Sequence, residues 1–136
     1  MPLMQRHKTR QINVGGVLIG GDAPVAVQSM TSGYTFEIDT CVAEINKLAN
    51  AGADIVRVAV PKKVDTEALP EILNQVNVPI VADVHFHYKR ALEAIEAGVH
   101  KIRLNPGNID DTDQVNAVID ACKDAGIPIR IGVNEG

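Results

Sequence analysis

Short apolar stretches alternate with amphipathic segments along most of this chain. Residues 25–30 (VAVQSM) and 55–60 (IVRVAV) have the length and composition of strands, whereas residues 88–97 repeat apolar side chains at helical spacing. Only a few residues separate each segment from the next. Strand–helix alternation with such short connections is typical of parallel strands joined by right-handed helical crossovers. The sequence therefore predicts an α/β fold.

A short repeated motif supports this assignment of helices and strands. The triplets Ala51-Gly52-Ala53, Ala97-Gly98-Val99 and Ala125-Gly126-Ile127 each place a glycine where a helix should end and a strand should follow. Pro70 should confine the regular part of its helix to the later turns. The predicted strands are 25–30, 55–60, 79–86, 101–105 and 128–133, and the predicted helices are 38–51, 66–76, 88–97 and 112–125.

The amino-terminal segment favours a barrel over an open doubly wound sheet. Residues 1–10 are predicted to be a flexible lead, and residues 11–21 to form a hairpin around Gly15-Gly16 that suits a plug at the bottom of a barrel. No G-x-G-x-x-G motif follows the first strand, as a dinucleotide-binding sheet would require. The prediction is a partial (β/α)8 TIM barrel, with residues 11–136 forming the amino-terminal part of that domain. Its two unpaired edge strands predict self-association.

The composition and charge argue against several classes of protein. The formal net charge of −4 disfavours binding to nucleic acid. No apolar run reaches the length of a membrane span, and the first ten residues lack the apolar core of a signal peptide, so a cytoplasmic protein is expected. Cys41 and Cys122 lie far apart in the sequence and are predicted to be small buried hydrophobes on helices.

Polar side chains interrupt the predicted strands near their carboxyl ends, where barrel active sites form. A guanidinium stays charged and is costly to bury without a partner, and one aspartate cannot neutralise three arginines. A phosphate or diphosphate would match the arginine fork and supply the missing negative charge. The predicted site residues are Arg57, Asp83, His85, Arg103, Asn105, Arg130 and Asn134.

Several of these residues allow another interpretation. The arginines could face outward and pair with helix carboxylates, and His85 could be an acid–base group or a histidine held by a backbone group. His85 and His87 form an H-x-H pair that could bind a metal, although no third ligand has a clear position. His7 and His100 are predicted to lie at the surface.

Five blocks of this sequence resemble one family, that of the 4-hydroxy-3-methylbut-2-enyl diphosphate synthases. The most distinctive stretches are RLNPGN, within residues 101–109, and RIGVN, within residues 127–134, and the resemblance covers residues 8–136. The other blocks are residues 24–31, 52–60 and 81–86.

The resemblance implies a reductive ring opening of 2-C-methylerythritol 2,4-cyclodiphosphate in non-mevalonate isoprenoid synthesis. It implies a [4Fe–4S] cluster held by a carboxy-terminal domain, ferredoxin or flavodoxin as the electron donor, and a homodimer in which one barrel faces the partner's cluster domain. By the same resemblance, Arg57, Arg103 and Arg130 would bind the diphosphate with help from His85. Asp83, Asn105 and Asn134 would line the same mouth, near the substrate's hydroxyls or ring oxygens.

The sequence also departs from the family's pattern. Cys41 and Cys122 do not match its cluster ligands, and a catalytic glutamate and a phosphate-binding lysine of later strands have no counterpart. The loop 32–36 and Glu135 differ from the expected residues. This chain alone is therefore expected to bind no cluster, to contain no catalytic residue and to be inactive. The alternatives are a dihydropteroate-synthase-like transferase, a metal aldolase, or a non-catalytic binding module.

Overall fold

In a computed structural model, residues 7–109 and 111–133 can be described. Residues 1–6 of the predicted lead, and Asn134 and Glu135 at the other end, lie outside the described residues. The elements are β1 (Ile12–Val14), β2 (Val17–Ile19), β3 (Gln28–Met30), α1 (Ile38–Asn50), β4 (Ile55–Ala59), α2 (Lys63–Gln75), β5 (Ile80–Val84), α3 (Tyr88–Ala97), β6 (Lys101–Leu104), a 3-10 turn (Pro106–Asn108), α4 (Thr112–Ala125) and β7 (Ile129–Ile131).

Five parallel strands form one sheet in the order of the sequence, β3-β4-β5-β6-β7. Each strand pairs with the next one along the chain, and a helix makes the crossover between successive strands. This is the topology of the first five units of a (β/α)8 barrel. The predicted fold is confirmed.

The main core lies between the sheet and the four helices. Alternate strand residues face the helices because successive side chains of a strand point to opposite sides. Burying each of the valine, leucine and isoleucine side chains among them contributes about 1.5–3 kcal/mol. The fully buried members include Val56, Val58, Ile80, Ala82, Ile102 and Leu104 of the strands and Ile45, Leu69, Ile72, Ala94 and Val118 of the helices.

The predicted hairpin is present, and it covers the amino end of the sheet's other face. β1 and β2 pair antiparallel around Gly15-Gly16. Val14, Ile55 and Val81 form a second buried cluster, against which Val17 and Ile19 also pack. The hairpin thus closes one end of the inner face and leaves the end with the strands' carboxyl termini open.

Two details differ from the sequence prediction. Helix α2 begins at Lys63, before the predicted residue 66, because the Asp65 carboxylate accepts the Lys62 N–H at 3.1 Å and satisfies one of the free amides of the first turn. Pro70 consequently lies in the helix interior. The surface prediction for His100 is also wrong: the ring is half-buried and its Nδ1 accepts the Ile80 N–H at 3.0 Å.

Both cysteines are buried on helices, as predicted. Cys41 lies on α1 and Cys122 on α4, and neither forms a disulfide. Burial raises the pKa of each thiol to about 11. Within residues 7–109 and 111–133, no helix is long and apolar enough to cross a membrane.

Candidate functional site

Asp83 is the centre of a cluster of charges on the inner face of the sheet. Its side chain is 4% exposed, and its carboxylate contacts three cationic or ionisable side chains. Arg103 Nη1 donates to Oδ1 at 3.1 Å, and Arg57 Nε lies 3.6 Å from Oδ2. His85 Nε2 lies 3.7 Å from the same oxygen. The structure therefore brings four of the predicted site residues together.

The register of three neighbouring strands produces this cluster. Asp83 on β5 pairs with Arg103 on β6, and paired residues of a parallel sheet point to the same face. Asp83 and His85 are two residues apart and share that face, as does Arg57 on β4. The arginines face inward at the carboxyl ends of the strands, so the alternative in which they pair with helix carboxylates is wrong for Arg57 and Arg103.

Each arginine has a second contact that fixes its direction. Arg57 Nε and Nη2 lie 3.4 and 3.3 Å from Met30 Sδ, a weak acceptor. Arg103 Nη2 donates to the Gly132 carbonyl at 3.4 Å. A Cβ at Gly132 would lie 2.6 Å from Arg103 Nε, so a larger residue there would displace the guanidinium. Glycine at this position allows the arginine to cross to Asp83.

The cluster carries more positive than negative charge. Asp83 is the one acidic residue on the described strands β3–β7, and it faces two guanidiniums. Arg57 and Arg103 keep N–H groups that these contacts do not use, because a guanidinium has five donors. This arrangement can accept a polyanion at the carboxyl ends of β4–β6.

Asn105 lies next to the cluster but has a structural contact of its own. The residue is buried, and its Oδ1 accepts the Gly107 N–H at 2.9 Å. That bond caps the 3-10 turn Pro106–Asn108, which follows β6 directly. The amide oxygen is therefore engaged by the turn, and a role of Asn105 toward a substrate stays a prediction.

Arg130 faces inward without joining the Asp83 cluster. It pairs with Arg103 in the register, but its side chain is exposed and lines a cavity with Gln28, Ile55 and Lys101 at the amino end of the sheet. Lys101 was not predicted as a site residue. Its spacing could have indicated its position, because Lys101 precedes Arg103 by two residues and therefore lies on the same face of the sheet. Asn134 lies outside the described residues.

The loop after β3 is tied to α1 by the carboxylate of Glu44. Glu44 accepts the Ser32 N–H and hydroxyl, both at 2.8 Å, and the Gly33 N–H at 3.1 Å. The hydrogen bond from the Ser32 N–H is the main reason that the pKa of Glu44 is lowered. Tyr34 and Phe36 stack with their ring centroids 5.2 Å apart and remain exposed. This loop, which departs from the expected sequence, therefore presents two exposed aromatic rings after the carboxyl end of β3.

The two cysteines do not suit an iron–sulfur cluster. Such a cluster needs several deprotonated thiolates converging on one point. Cys41 and Cys122 lie on separate helices in the helix-facing core, and burial favours their protonated form. In the described part of the chain, no three His, Cys, Asp or Glu side chains are grouped to hold a metal ion.

Known proteins resemble this chain in sequence and in fold. The chain is 58% identical over 133 residues to the 4-hydroxy-3-methylbut-2-en-1-yl diphosphate synthase (flavodoxin) of Chromohalobacter salexigens, covering 98% of this chain and 36% of that protein. It is 52% identical to the synthase of the same description from Geobacillus thermodenitrificans, with the same coverage. The chain thus spans little more than a third of these relatives.

Solved structures show the fold alone. The dihydropteroate synthase of Yersinia pestis superimposes with a TM-score of 0.62 at 15% identity, over 88% of this chain and 44% of that chain. At such low identity the likeness says nothing about activity. The sequence match is much more specific, because the GcpE TIM-barrel domain matches residues 9–136, nearly the whole chain. The chain belongs to the GcpE TIM-barrel domain family.

Proposed function

We propose that this chain supplies the substrate-binding mouth of a 4-hydroxy-3-methylbut-2-enyl diphosphate synthase. The diphosphate of 2-C-methylerythritol 2,4-cyclodiphosphate lies against Arg57 and Arg103, with His85 donating to a phosphate oxygen. Asp83 holds these two arginines in place. Contacts of Arg130 and Asn134 with the diphosphate stay predictions, since Arg130 does not join the Asp83 cluster and Asn134 lies outside the described residues. The reaction of the whole enzyme is a reductive opening of the cyclic diphosphate.

One observation carries this proposal. Two guanidiniums converge on a single buried carboxylate at the carboxyl ends of adjacent parallel strands. The excess positive charge favours a ligand with at least two negative charges, and the orientation of both arginines is fixed before the ligand arrives. Such preorganisation lowers the cost of binding. The names of the related synthases support a diphosphate, since each is named for a diphosphate product.

The proposal assigns the redox chemistry to parts of the enzyme beyond this chain. A [4Fe–4S] cluster would supply the electrons, and neither Cys41 nor Cys122 is suited to ligate it. Flavodoxin is the donor named for the relatives, and ferredoxin is the alternative. We further propose a cytoplasmic homodimer in which the mouth of one barrel faces the cluster domain of its partner. The contribution of this chain is to bind and orient the substrate.

Calorimetric titration with the cyclic diphosphate tests the site in this chain. Removing one guanidinium as Arg103→Gln should weaken binding by at least about tenfold, since hydrogen bonds to charged groups contribute about 1.5–3 kcal/mol. Higher salt should also weaken binding, because the contacts are electrostatic. Arg10→Gln is the matched control, since Arg10 is exposed and far from the mouth in the fold.

Two results would contradict the proposal. One is binding that Arg103→Gln leaves unchanged. The other is binding of methylerythritol, which lacks phosphate, with an affinity equal to that of the cyclic diphosphate. The dihydropteroate-synthase-like, aldolase and non-catalytic alternatives would then be preferred.

A further inference from the structure

The nearest hydrogen-bond acceptor of the Arg57 side chain is a sulfur atom rather than an oxygen. Met30 Sδ lies 3.4 Å from Arg57 Nε and 3.3 Å from Nη2, whereas the Asp83 carboxylate lies 3.6 Å from Nε. Among the residues that the structure describes, these two contacts with sulfur are the hydrogen bonds that the guanidinium donates. Arg103 differs, because it donates to carboxylate and carbonyl oxygens. Met30 was not predicted as a site residue.

This contact is built by two adjacent strands of the chain. Met30 on β3 pairs with Arg57 on β4 in the parallel register, so the two side chains lie on the same face of the sheet. The Thr31 N–H donates to the Arg57 carbonyl at 3.1 Å and extends this pairing beyond the end of β3. The unbranched side chain of methionine adapts to the position of the guanidinium. The position of the sulfur therefore follows from the pairing of β3 with β4 and requires no further strand of a barrel.

A thioether can orient a guanidinium without neutralising it. Sulfur is a weak acceptor and carries no net charge. The two contacts use the Nε–H and one N–H of Nη2, so both N–H groups of Nη1 and the second N–H of Nη2 remain for another acceptor. Two phosphate oxygens match this side of the arginine fork. A carboxylate in place of the sulfur would hold Arg57 more strongly, but it would also cancel the charge that attracts a polyanion.

We propose that Met30 is a positioning residue for the diphosphate site, where residue 30 has to accept a hydrogen bond from Arg57 and remain uncharged. This inference rests on the proposed function of the mouth. Met30 acts through Arg57, whose Nη1 and Nη2 it turns toward the ligand. Asp83 then provides the counter-charge that keeps the arginines folded in place, and Met30 provides orientation without charge.

Calorimetric titration with the cyclic diphosphate tests this role. Met30→Leu keeps an apolar side chain and removes the acceptor, so it should bind about threefold more weakly, as expected for loss of an uncharged hydrogen bond. Met30→Gln supplies a neutral oxygen acceptor and should bind as the native chain does. Met30→Glu should bind at least about tenfold more weakly, because its carboxylate pairs with Arg57 and repels the diphosphate.

Thermal unfolding of the same variants distinguishes positioning from a structural role. The midpoint of Met30→Glu should equal or exceed that of the native chain, because the new carboxylate pairs with a guanidinium. Binding and stability should thus change in opposite directions, whereas a merely structural residue would lower both. The proposal is overturned if Met30→Leu binds as tightly as the native chain, or if Met30→Glu binds as tightly as Met30→Gln.

A double-mutant cycle shows whether Met30 acts through Arg57. In the background of Arg57→Gln, Met30→Leu should cause no further loss of binding, because the guanidinium that it orients is absent. In the background of Arg103→Gln, Met30→Leu should keep its effect of about threefold, since Arg103 makes its contacts elsewhere. Equal further losses in both backgrounds would contradict the proposal.

Nitrogen NMR of labelled arginine side chains separates this inference from the proposed function, because it needs no ligand. The Nε–H signal of Arg57 should shift in Met30→Leu and return toward its native position in Met30→Gln. A signal that does not move overturns the role of Met30 whatever the binding result. If the native chain does not bind the cyclic diphosphate, the proposed function fails, and the same cycle with pyrophosphate tests whether Met30 orients Arg57 toward a polyanion.

Discussion

At the scale of single residues, Asp83 is the side chain on which the mouth depends. The variant Asp83→Asn keeps the size of the side chain and leaves two guanidiniums without their counter-charge. We expect the free energy of unfolding to fall by about 2–4 kcal/mol, measured by urea denaturation, because breaking one side of a buried ion pair is strongly destabilising. Pyrophosphate should recover part of this loss, since it restores negative charge to the folded state.

The matched control for Asp83 is Asp120→Asn, at an exposed position of α4. It should change the stability by less than about 0.5 kcal/mol, as is usual for surface substitutions. Equal stabilities of the Asp83 and Asp120 variants would show that the arginines do not need the carboxylate.

Some of these residues could be predicted from the sequence and others could not. Arg57, Asp83 and Arg103 could be predicted because each places a charge in an otherwise apolar strand. Lys101 was missed because it lies at the amino end of its strand, away from the edge where barrel sites form. The half-buried state of His100 could not be predicted either, since it depends on the hairpin returning to pack on the sheet.

At the scale of elements, His100 joins the hairpin to the sheet. A Cβ at Gly15 of the hairpin turn would lie 2.7 Å from the ring, so the turn packs directly on the imidazole. Nδ1 accepts the Ile80 N–H, which requires that this nitrogen carry no proton. The side chains lining the space beside the ring carry no ionisable group. Burial lowers the pKa of His100 below its ordinary value of 6.5.

The lowered pKa predicts a dependence of stability on pH. Below pH 6.5 the unfolded chain takes up a proton that the folded chain resists, so the free energy of unfolding should fall as the pH falls from 6.5 through the lower pKa of the folded state. His100→Asn keeps an acceptor in a similar place and does not titrate. Urea midpoints at about pH 7.5 and about pH 5.5 should therefore differ less in His100→Asn than in the native chain.

The control for this pH effect is His7→Gln, which removes an exposed histidine. It should retain the native difference between the two pH values. If His100→Asn and His7→Gln show the same difference, other groups cause the acid sensitivity.

Element boundaries were predictable where a single local signal decides them. Gly98 and Gly126 adopt the left-handed conformation that ends α3 and α4, as the glycine repeat indicated. The start of α2 was not predictable from Pro70, because Asp65 supplies its cap from inside the helix. Asp65 also accepts the Phe36 N–H at 3.1 Å, a contact from a distant loop.

At the scale of the whole molecule, the edges of the sheet are its least satisfied part. β3 and β7 each pair on one side only within the described residues. At the β7 edge, Ile131 and Val133 alternate with Ile129 and so lie on the helix-facing side of the sheet. No helix covers them within the described residues, and they are 56% and 76% exposed. An unpaired strand with apolar side chains is a template for pairing with another chain. We therefore propose that this chain self-associates through β7.

Sedimentation velocity over a range of protein concentrations measures this association. Ile131→Lys places a charge on the exposed edge and should shift the chain toward a monomer, since edge charges oppose strand pairing. Val64→Lys is the control, because Val64 is an exposed valine of α2, away from both edges. A native chain that remains a monomer at all concentrations and unfolds cooperatively would contradict the proposal. In that case five strands with four helices and a hairpin are sufficient for a stable fold, and the inner face is tolerated because the hairpin covers Ile55 and Val81 while Arg57 and Arg103 pair with Asp83.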